Sequence, residues 1–284
     1  PANEMRLRAV LSRQKKFLDV VKALQKFGKS CTIRISMEDV LLAVNAGSVT
    51  EPQIWASLKS QGADGNCVFQ TLRIESLMRN QIAFDIDISL LERALKSCEP
   101  AEKASVKLSK KSTTAYLSFE IIVQSVPMMT IIQDVPIALL SGEDVENFHE
   151  PSVQTPAVQL SAPPLKSVFS IVERLKSLDC KILLRANMMG ELSLGVETDL
   201  VFLNNVWTDL SPPDALRVQN EDKGQHGEAN IDAGILSRLT SSHFLRPSST
   251  FCCIGDHSSG KLLIWHMILG EDSLTYYLPV LETS

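Results

Sequence analysis

The sequence predicts an α+β protein built from two similar halves, and three observations support this prediction. Apolar and polar residues alternate with period two through most of the 284 residues, as half-buried strands do. Only four segments change to a helical period. The elements also follow the same order twice: strand, helix, several strands, helix, strands. Runs of strands interrupted by so few helices favour antiparallel sheets over a wound parallel sheet.

In the first half, two amphipathic helices interrupt the strands. The first is predicted over 13–28 and stops at Gly28, a common signal at a helix C-terminus. The second is predicted over 88–98, with Asp87 or Ser89 as N-cap, and Ser89 with Glu92 fits a capping box. Strands are predicted at 5–11, 31–36, 40–44, 53–58, less distinctly within 67–86, and at 105–109, 114–124 and 128–137.

The pattern then lapses over 138–155, where the acidic, proline-bearing sequence indicates a linker. Its part HEPSVQTP is expected to be extended and mobile over a shallow hydrophobic surface of the first domain. We therefore assign residues 5–137 to a first domain, 138–155 to an interdomain connector and 156–284 to a second domain.

The second half repeats the order of the first. Helices are predicted at 164–178, with prolines at the entry, and at 234–241. The segment 211–228 indicates a polar, mobile loop. Strands are predicted at 157–161, 181–187, 191–197, 200–207, 229–232, 250–254, 261–269 and 273–281.

Positive charge is concentrated on the helices. On the first helix, lysines form a stripe opposite the apolar one, with Asp19 among them. The four segments 12–29, 88–97, 163–179 and 232–246 together carry a net charge of +8, whereas the chain is −5, so the remainder carries −13. Such a surface is suited to binding phosphates without regard to base sequence. The charge on any one helix would also be explained by an ordinary solvated helix face, so phosphate binding and simple solvation both remain open interpretations at this point.

No convincing active site emerges from the residues. The segment Gly255–Lys261 matches a P-loop until Leu262 stands where Ser or Thr should hold magnesium, and a strand pattern follows instead of a helix. The five histidines never fall at metal-ligand spacing, so neither a catalytic group nor a metal or cofactor is predicted. The six cysteines form no CxxC pair and indicate reduced thiols in an intracellular protein. No apolar run approaches the roughly 18 residues of a membrane span.

Several stretches resemble one known family. The most specific is ANMMGELSLGVET at 186–198, supported by KSCTIRIS at 29–36. LERALK, DVPI, DLSPP and YLPVL follow in matching order. Together they make the chain similar, from Met5 to about Leu281, to the hydroxyurea-sensitivity subunits of the nine-one-one checkpoint clamp, heterotrimeric relatives of the replicative sliding clamp. The segment 58–84 departs most from the family pattern.

The resemblance implies a DNA-clamp fold, with two helices of each domain lining a central hole. It also implies two other clamp subunits, double-stranded DNA, a checkpoint clamp loader and connector-docked repair enzymes as partners, a role in checkpoint signalling, and the nucleus as location. The DNA-facing residues would be Lys15, Lys22, Lys26, Lys29, Arg93, Lys96, Lys166, Arg174 and Arg238. The subunit-interface residues, on the strands 128–137 and 200–207, would be Ile131, Ile132, Val135, Val201, Leu203 and Asn205.

Two other classes of function remain as alternatives. One is a homo-oligomeric replicative clamp, which has the same fold and different partners. The other is an enzyme, either a nucleotide-binding protein using the Gly255–Lys261 loop or a nuclease using scattered carboxylates.

Overall fold

The computed structural model describes residues 5–48, 50–62, 66–77, 79–124, 128–153, 156, 158–213, 226–257 and 260–281. The chain divides into two compact units. The first comprises 1–46 and 55–150, and the second comprises 47–54 and 151–284. Most of the predicted polar loop, residues 214–225, lies outside the described residues.

The first unit contains most of the strands and three helices. Its strands are β1 (Arg6–Leu11), β2 (Ser30–Ile35), β3 (Asp39–Val44), β4 (Gln53–Lys59), β5 (Phe69–Glu75), β6 (Ile82–Asp87), β7 (Lys103–Lys111), β8 (Thr114–Val123) and β9 (Met129–Leu139). Its helices are α1 (Gln14–Gln25), α2 (Ile88–Cys98) and α3 (Gly142–Glu146).

The second unit repeats this order with one strand fewer among the described residues. Its strands are β10 (Val158–Ser161), β11 (Lys181–Asn187), β12 (Glu191–Glu197), β13 (Phe202–Trp207), β14 (His226–Asp232), β15 (Ser249–His257), β16 (Gly260–Leu269) and β17 (Asp272–Pro279). Its helices are α4 (Leu165–Lys176) and α5 (Ala233–Thr240), the latter continued by a 3-10 helix (Ser241–Leu245).

The strands of each unit form antiparallel sheets. In the first unit the order of strands across the sheet is β4-β3-β2-β6-β9-β8-β7-β1-β5. Along this order, all neighbouring strands from β3 to the edge strand β5 pair in antiparallel orientation. The second unit has β10-β15-β16-β17 and β13-β12-β11-β14, also antiparallel. The prediction of an α+β chain with antiparallel sheets and few helices is confirmed.

Each long helix buries one apolar face, which is why these segments fold as helices next to the sheets. Phe17, Val20 and Leu24 are buried on α1, and Leu91 and Leu95 are buried on α2. In the second unit, α4 buries Leu165, Val168, Val172 and Leu175, and α5 buries Leu236 and Leu239. Each unit thus has one pair of packed helices, α1 with α2 and α4 with α5.

The caps of these helices differ in part from the sequence prediction. Asp87 is the N-cap of α2, and its carboxylate accepts a hydrogen bond from the Leu90 amide at 3.0 Å. The predicted capping box of Ser89 with Glu92 is wrong, because Ser89 lies inside the helix and its hydroxyl accepts a hydrogen bond from Gln25 on α1. Asp232 caps α5 in the same way as Asp87 caps α2.

The predicted linker 138–155 is more ordered than its composition suggested. Strand β9 continues to Leu139, and α3 begins at once behind Ser141. The Ser141 hydroxyl and the Asp144 carboxylate each accept a hydrogen bond from the other residue's backbone amide, which makes a capping box. Behind α3, the described residues 148–153 and 156 belong to no helix or strand.

All six cysteines are unpaired thiols, and only Cys180 is exposed. Burial raises the pKa of Cys98 to about 12 and that of Cys253 to about 12, so these thiols stay protonated and behave as small apolar side chains. None of the helices in the described part of the chain is long and apolar enough to cross a membrane.

Candidate functional site: basic helix pairs and open sheet edges

The helix pair of the first unit presents cations on its polar face. Lys15 and Lys29 are exposed on the α1 side, and Lys22 and Lys26 are half-buried. Asp19 is the acidic exception, and its carboxylate lies 3.7 Å from the Lys22 ammonium group. Arg93 and Lys96 of α2 are exposed. The structure therefore leaves the first six of the predicted DNA-facing residues at least partly accessible to solvent, four of them on α1 and α2 and two, Lys26 and Lys29, just behind α1.

Lys26 differs from an ordinary surface lysine. Desolvation by burial lowers the pKa of its ammonium group below the ordinary value. A phosphate placed nearby would favour the charged form and oppose this shift. The half-buried residue can thus still present its charge to an anion.

The helix pair of the second unit also presents cations to solvent. Lys166, Arg174 and Arg238 are exposed. Between the helices, the Glu173 carboxylate accepts a hydrogen bond from Ser237 at 2.5 Å, and Lys176 donates to the same hydroxyl at 3.3 Å. These contacts hold α4 and α5 together, and the three predicted cations lie on the exposed side of the pair.

Strand β9 has an unpaired stretch on one side. It pairs with β8 from Met129 to Ile137, but with β6 only from Ile137 to Leu139. The second side of 129–136 has no strand neighbour among the described residues. Ile132 on this stretch is 67% exposed, which is unusual for an isoleucine in a sheet.

Strand β13 is the edge of the four-stranded sheet in the second unit. It pairs with β12 on one side, and no described strand covers the other. Phe202 and Val206 are exposed on one face of β13, and Leu203 is exposed on the other face. An exposed apolar edge of this length is a template for pairing with another chain.

The predicted interface residues do not all point outward. Val135 is 1% exposed, so its side chain belongs to the core of the first unit and only its backbone can reach a neighbour. Ile131 is half-buried, and Val201 and Leu203 are exposed. Asn205 donates a hydrogen bond from its side-chain amide to the Leu194 carbonyl at 3.3 Å, which braces β13 against β12.

A contact that the sequence analysis missed holds the connector on the first unit. Val145 of α3 and Phe148 behind it are buried, and the Phe148 ring centroid lies 5.0 Å from that of Trp55 on β4. The spacing of Val145 and Phe148, three residues apart behind Ser141, could have indicated a short amphipathic turn. The first part of the connector is therefore a docked helix.

The P-loop-like segment leads into a strand in the part of the chain that the structure describes. Lys261 is the second residue of β16 and pairs opposite Asp256, so a strand follows the glycine of the P-loop-like segment. A P-loop needs a helix N-terminus there to hold phosphate. The Lys261 ammonium group instead lies 3.4 Å from the Glu228 carbonyl oxygen. The described residues contain no group of three or more His, Cys, Asp or Glu that could hold a metal.

Comparison with solved structures identifies the architecture. PCNA from Thermococcus kodakaraensis superposes with a TM-score of 0.64 over 97% of this chain and 100% of that chain, at 13% identity. This likeness confirms the predicted DNA-clamp fold.

Comparison of sequences identifies the relatives. Checkpoint protein HUS1 of Homo sapiens is 27% identical over 277 residues, covering 94% of this chain and 95% of the relative. The Checkpoint protein hus1 homolog of Dictyostelium discoideum is 26% identical over 282 residues, with 98% and 99% covered. Checkpoint protein hus1 of Schizosaccharomyces pombe is 27% identical over 224 residues, with 78% and 76% covered. The family profile described as Hus1-like protein matches residues 5–282, and the chain belongs to that family.

Proposed function

We propose that this chain is a non-catalytic subunit of a heterotrimeric ring clamp that encircles DNA at damage sites, supports checkpoint signalling and recruits repair enzymes. The relatives that match most of its length are named checkpoint proteins, and its fold is that of PCNA. In this role the chain acts in the nucleus and is placed on DNA by a clamp loader.

The observation that carries the proposal is the sign of the charge on the helix pairs. The chain is net acidic at −5, yet the exposed faces of α1 and α2 are predominantly basic. Lysine and arginine contacts to phosphates give affinity without reading bases, which suits a protein that must slide along any sequence. The exposed Lys166, Arg174 and Arg238 extend the same chemistry to the second unit.

The open edges support assembly with other subunits. The unpaired stretch 129–136 of β9 lies in the first unit, and β13 lies in the second. Each can accept a strand from a different neighbour, so that the two edges become internal on ring closure. By the family resemblance, those neighbours are two other clamp subunits.

The connector supports recruitment of partners. Its docked part, α3, lies on the first unit through Val145 and Phe148, and the described residues 149–153 and 156 behind it belong to no helix or strand. Client enzymes would bind along this segment and the apolar surface beneath it.

Charge reversal on α1 tests the proposal. The variant Lys15→Glu, Lys22→Glu, Lys26→Glu is expected to assemble normally with both partner subunits by native mass measurement. Its retention on gapped circular duplex, loaded by the clamp loader, should fall, and the slope of log affinity against log salt should decrease by about 2 to 3 for three lost phosphate contacts.

A matched control has the same change in charge away from the helices. Lys103→Glu, Lys110→Glu, Lys181→Glu reverses three exposed lysines that lie on strands. Equal retention of the α1 variant and the wild type would contradict DNA contact by α1. A homotrimer of the chain alone would instead favour a replicative clamp, and magnesium-dependent turnover of nucleotide or DNA would favour an enzyme.

A further inference from the structure

Three cations lie side by side on the outer sheet face of the first unit. The strand registers place Arg8 of β1 directly opposite Arg73 of β5 on one side and directly opposite Lys107 of β7 on the other. Adjacent strands are about 4.8 Å apart, so the three side chains leave the sheet within about 10 Å of one another. We refer to Arg73, Arg8 and Lys107 as the cationic row.

The row has acidic neighbours at its two ends, where Arg73 pairs with Glu75 and Lys107 is one of the charges that lower the pKa of Asp134. Glu75 takes the charge of Arg73, which donates to it from Nε at 2.9 Å and from Nη2 at 2.7 Å. The same carboxylate lies 3.7 Å from Arg6. The Arg8 side chain, between the two other cations, makes no hydrogen bond or ion pair with any residue that the structure describes. The central position of the row therefore carries an uncompensated charge.

Stability does not explain this arrangement. Like charges directly opposite one another on neighbouring strands destabilise a sheet. Leu7 and Ala9 provide the buried face of β1, so Arg8 contributes nothing to the core. All three cationic side chains are exposed, and they are separate from the lysines of α1 and α2. An unfavourable row in an acidic protein indicates a binding function.

The surface around the row is concave and bounded. Two adjoining depressions share Arg8, Arg73 and Lys107 as lining residues. Glu75 borders the first, and Glu120 borders the second. Glu75 lies opposite Arg6, which precedes Arg8 by two residues on β1. On the other side, Glu120 of β8 lies opposite Ser105 of β7, and Ser105 lies opposite Val10, which follows Arg8 by two residues. The two carboxylates are thus about four residues, or about 14 Å, apart along the strands.

We propose that the cationic row binds a single phosphorylated side chain of a protein partner. The uncompensated guanidinium of Arg8 can form a bidentate contact with a phosphate, and Arg73 and Lys107 on either side add positive charge, so the row matches one compact dianion. A duplex crossing this face would bring further phosphates against Glu75 or Glu120, so the flanking carboxylates favour an isolated phosphate over a polyanion. The proposal does not rest on ring assembly, because every residue it uses lies in the first unit.

The test uses the full chain and the peptide acetyl-Gly-phosphoSer-Gly-amide as probe. Backbone amide chemical shifts of β1, β5 and β7 should change with saturation in the millimolar range, and the unphosphorylated peptide should leave them unchanged. The variant Arg8→Gln, Lys107→Gln should weaken binding at least about tenfold, as expected for the loss of two charge-assisted contacts. Lys103→Gln, on the same face of β7 four residues away, should bind as the wild type does.

Other outcomes overturn the proposal. One is a set of amide chemical-shift changes spread over the whole surface. Another is equal affinity of the double variant and the wild type for the phosphopeptide. A third is tighter binding of a 12-base-pair duplex than of the phosphopeptide at β1, β5 and β7. A fall in melting temperature for Arg8→Gln alone would also do so, because it would show that Arg8 stabilises the fold. Relief of like-charge repulsion predicts an unchanged or raised melting temperature for that variant.

Discussion

Replacing Phe148 with alanine is expected to release the segment 141–150 from the first unit while that unit stays folded. Helix α3 has five residues, too few to be stable in water without tertiary contacts. Its order therefore depends on its capping box and on two buried side chains, Val145 and Phe148. Because the segment follows the last strand of the unit, it can open without breaking a sheet.

The size of the effect follows from the burial of Phe148. The side chain is 6% exposed and packs on the Trp55 ring. Truncating a buried phenylalanine to alanine costs about 3 to 5 kcal/mol, including about 0.5 to 1.5 kcal/mol for the ring pair. This cost applies to the local opening of the segment. The population of the open form should then rise by about two hundredfold to a few thousandfold.

Amide hydrogen exchange measures this opening directly. Three amides report on α3: Val145 donates to the Ser141 carbonyl, Asn147 to the Glu143 carbonyl, and Phe148 to the Val145 carbonyl. Their protection should be lost in Phe148→Ala and largely kept in Phe148→Leu, which retains most of the apolar area. Amides of β7 and β8 serve as the internal reference. Unchanged protection of the three amides, together with a lowered global melting temperature, would refute the reasoning, because it would place Phe148 in the cooperative core.

Three further predictions concern assembly and stability. Leu203→Arg on β13, or Ile131→Arg on β9, should prevent trimer formation with both partner subunits, as measured by analytical ultracentrifugation. The control Met189→Arg, at an exposed turn of the same sheet as β13, should still form trimers. Trimers formed by either edge variant would mean that the edges are misassigned. Gly28→Ala should lower the free energy of unfolding by about 1 to 3 kcal/mol, because a Cβ there would lie 2.5 Å from Val44 Cγ1, and adding Val44→Ala should recover part of the loss in urea titrations. Hydrogen bonds from Lys111 and Ser118 lower the pKa of Asp134, so the stability that its charge contributes is present above about pH 3.9 and is lost as the pH falls through the lowered pKa. The urea midpoints of wild type and Asp134→Asn should therefore converge in that acid range. A difference between the two midpoints that stays constant with pH would contradict the role of the charge.

Local patterns were sufficient to predict much of this fold. Helix α2 was predicted with the bounds it has, because an acidic cap and a strong apolar stripe are both readable along the chain. Alternation located most strands to within a few residues, since each has a buried face. The absence of a helix after Gly260 also followed from the strand pattern of the residues behind it. Family membership was recognisable from short stretches in matching order.

Other features depend on contacts between distant residues. The turn between β5 and β6 was not located because Arg79 and Asn80, not glycine, adopt left-handed backbone there, with φ of 52° and 55°. Gly28 suggested a helix C-cap, but α1 ends at Gln25, and the glycine is needed for the close approach of Val44 from another strand. Composition alone marked α3 as linker, because its stability comes from Trp55.

Sequence alone determined the four longer helices, most of the strands, the repeated order and the concentration of lysines on α1, since these depend on residues close together along the chain. Tertiary structure decided which strand edges stay unpaired, because that depends on how far β6 overlaps β9 and on which strand ends a sheet. It also decided that Val135 faces the core and not a neighbour. The cationic row belongs to this second group: alternation places Arg8 on the polar face of β1, but only the antiparallel register brings Arg73 and Lys107 beside it from 65 and 99 residues away.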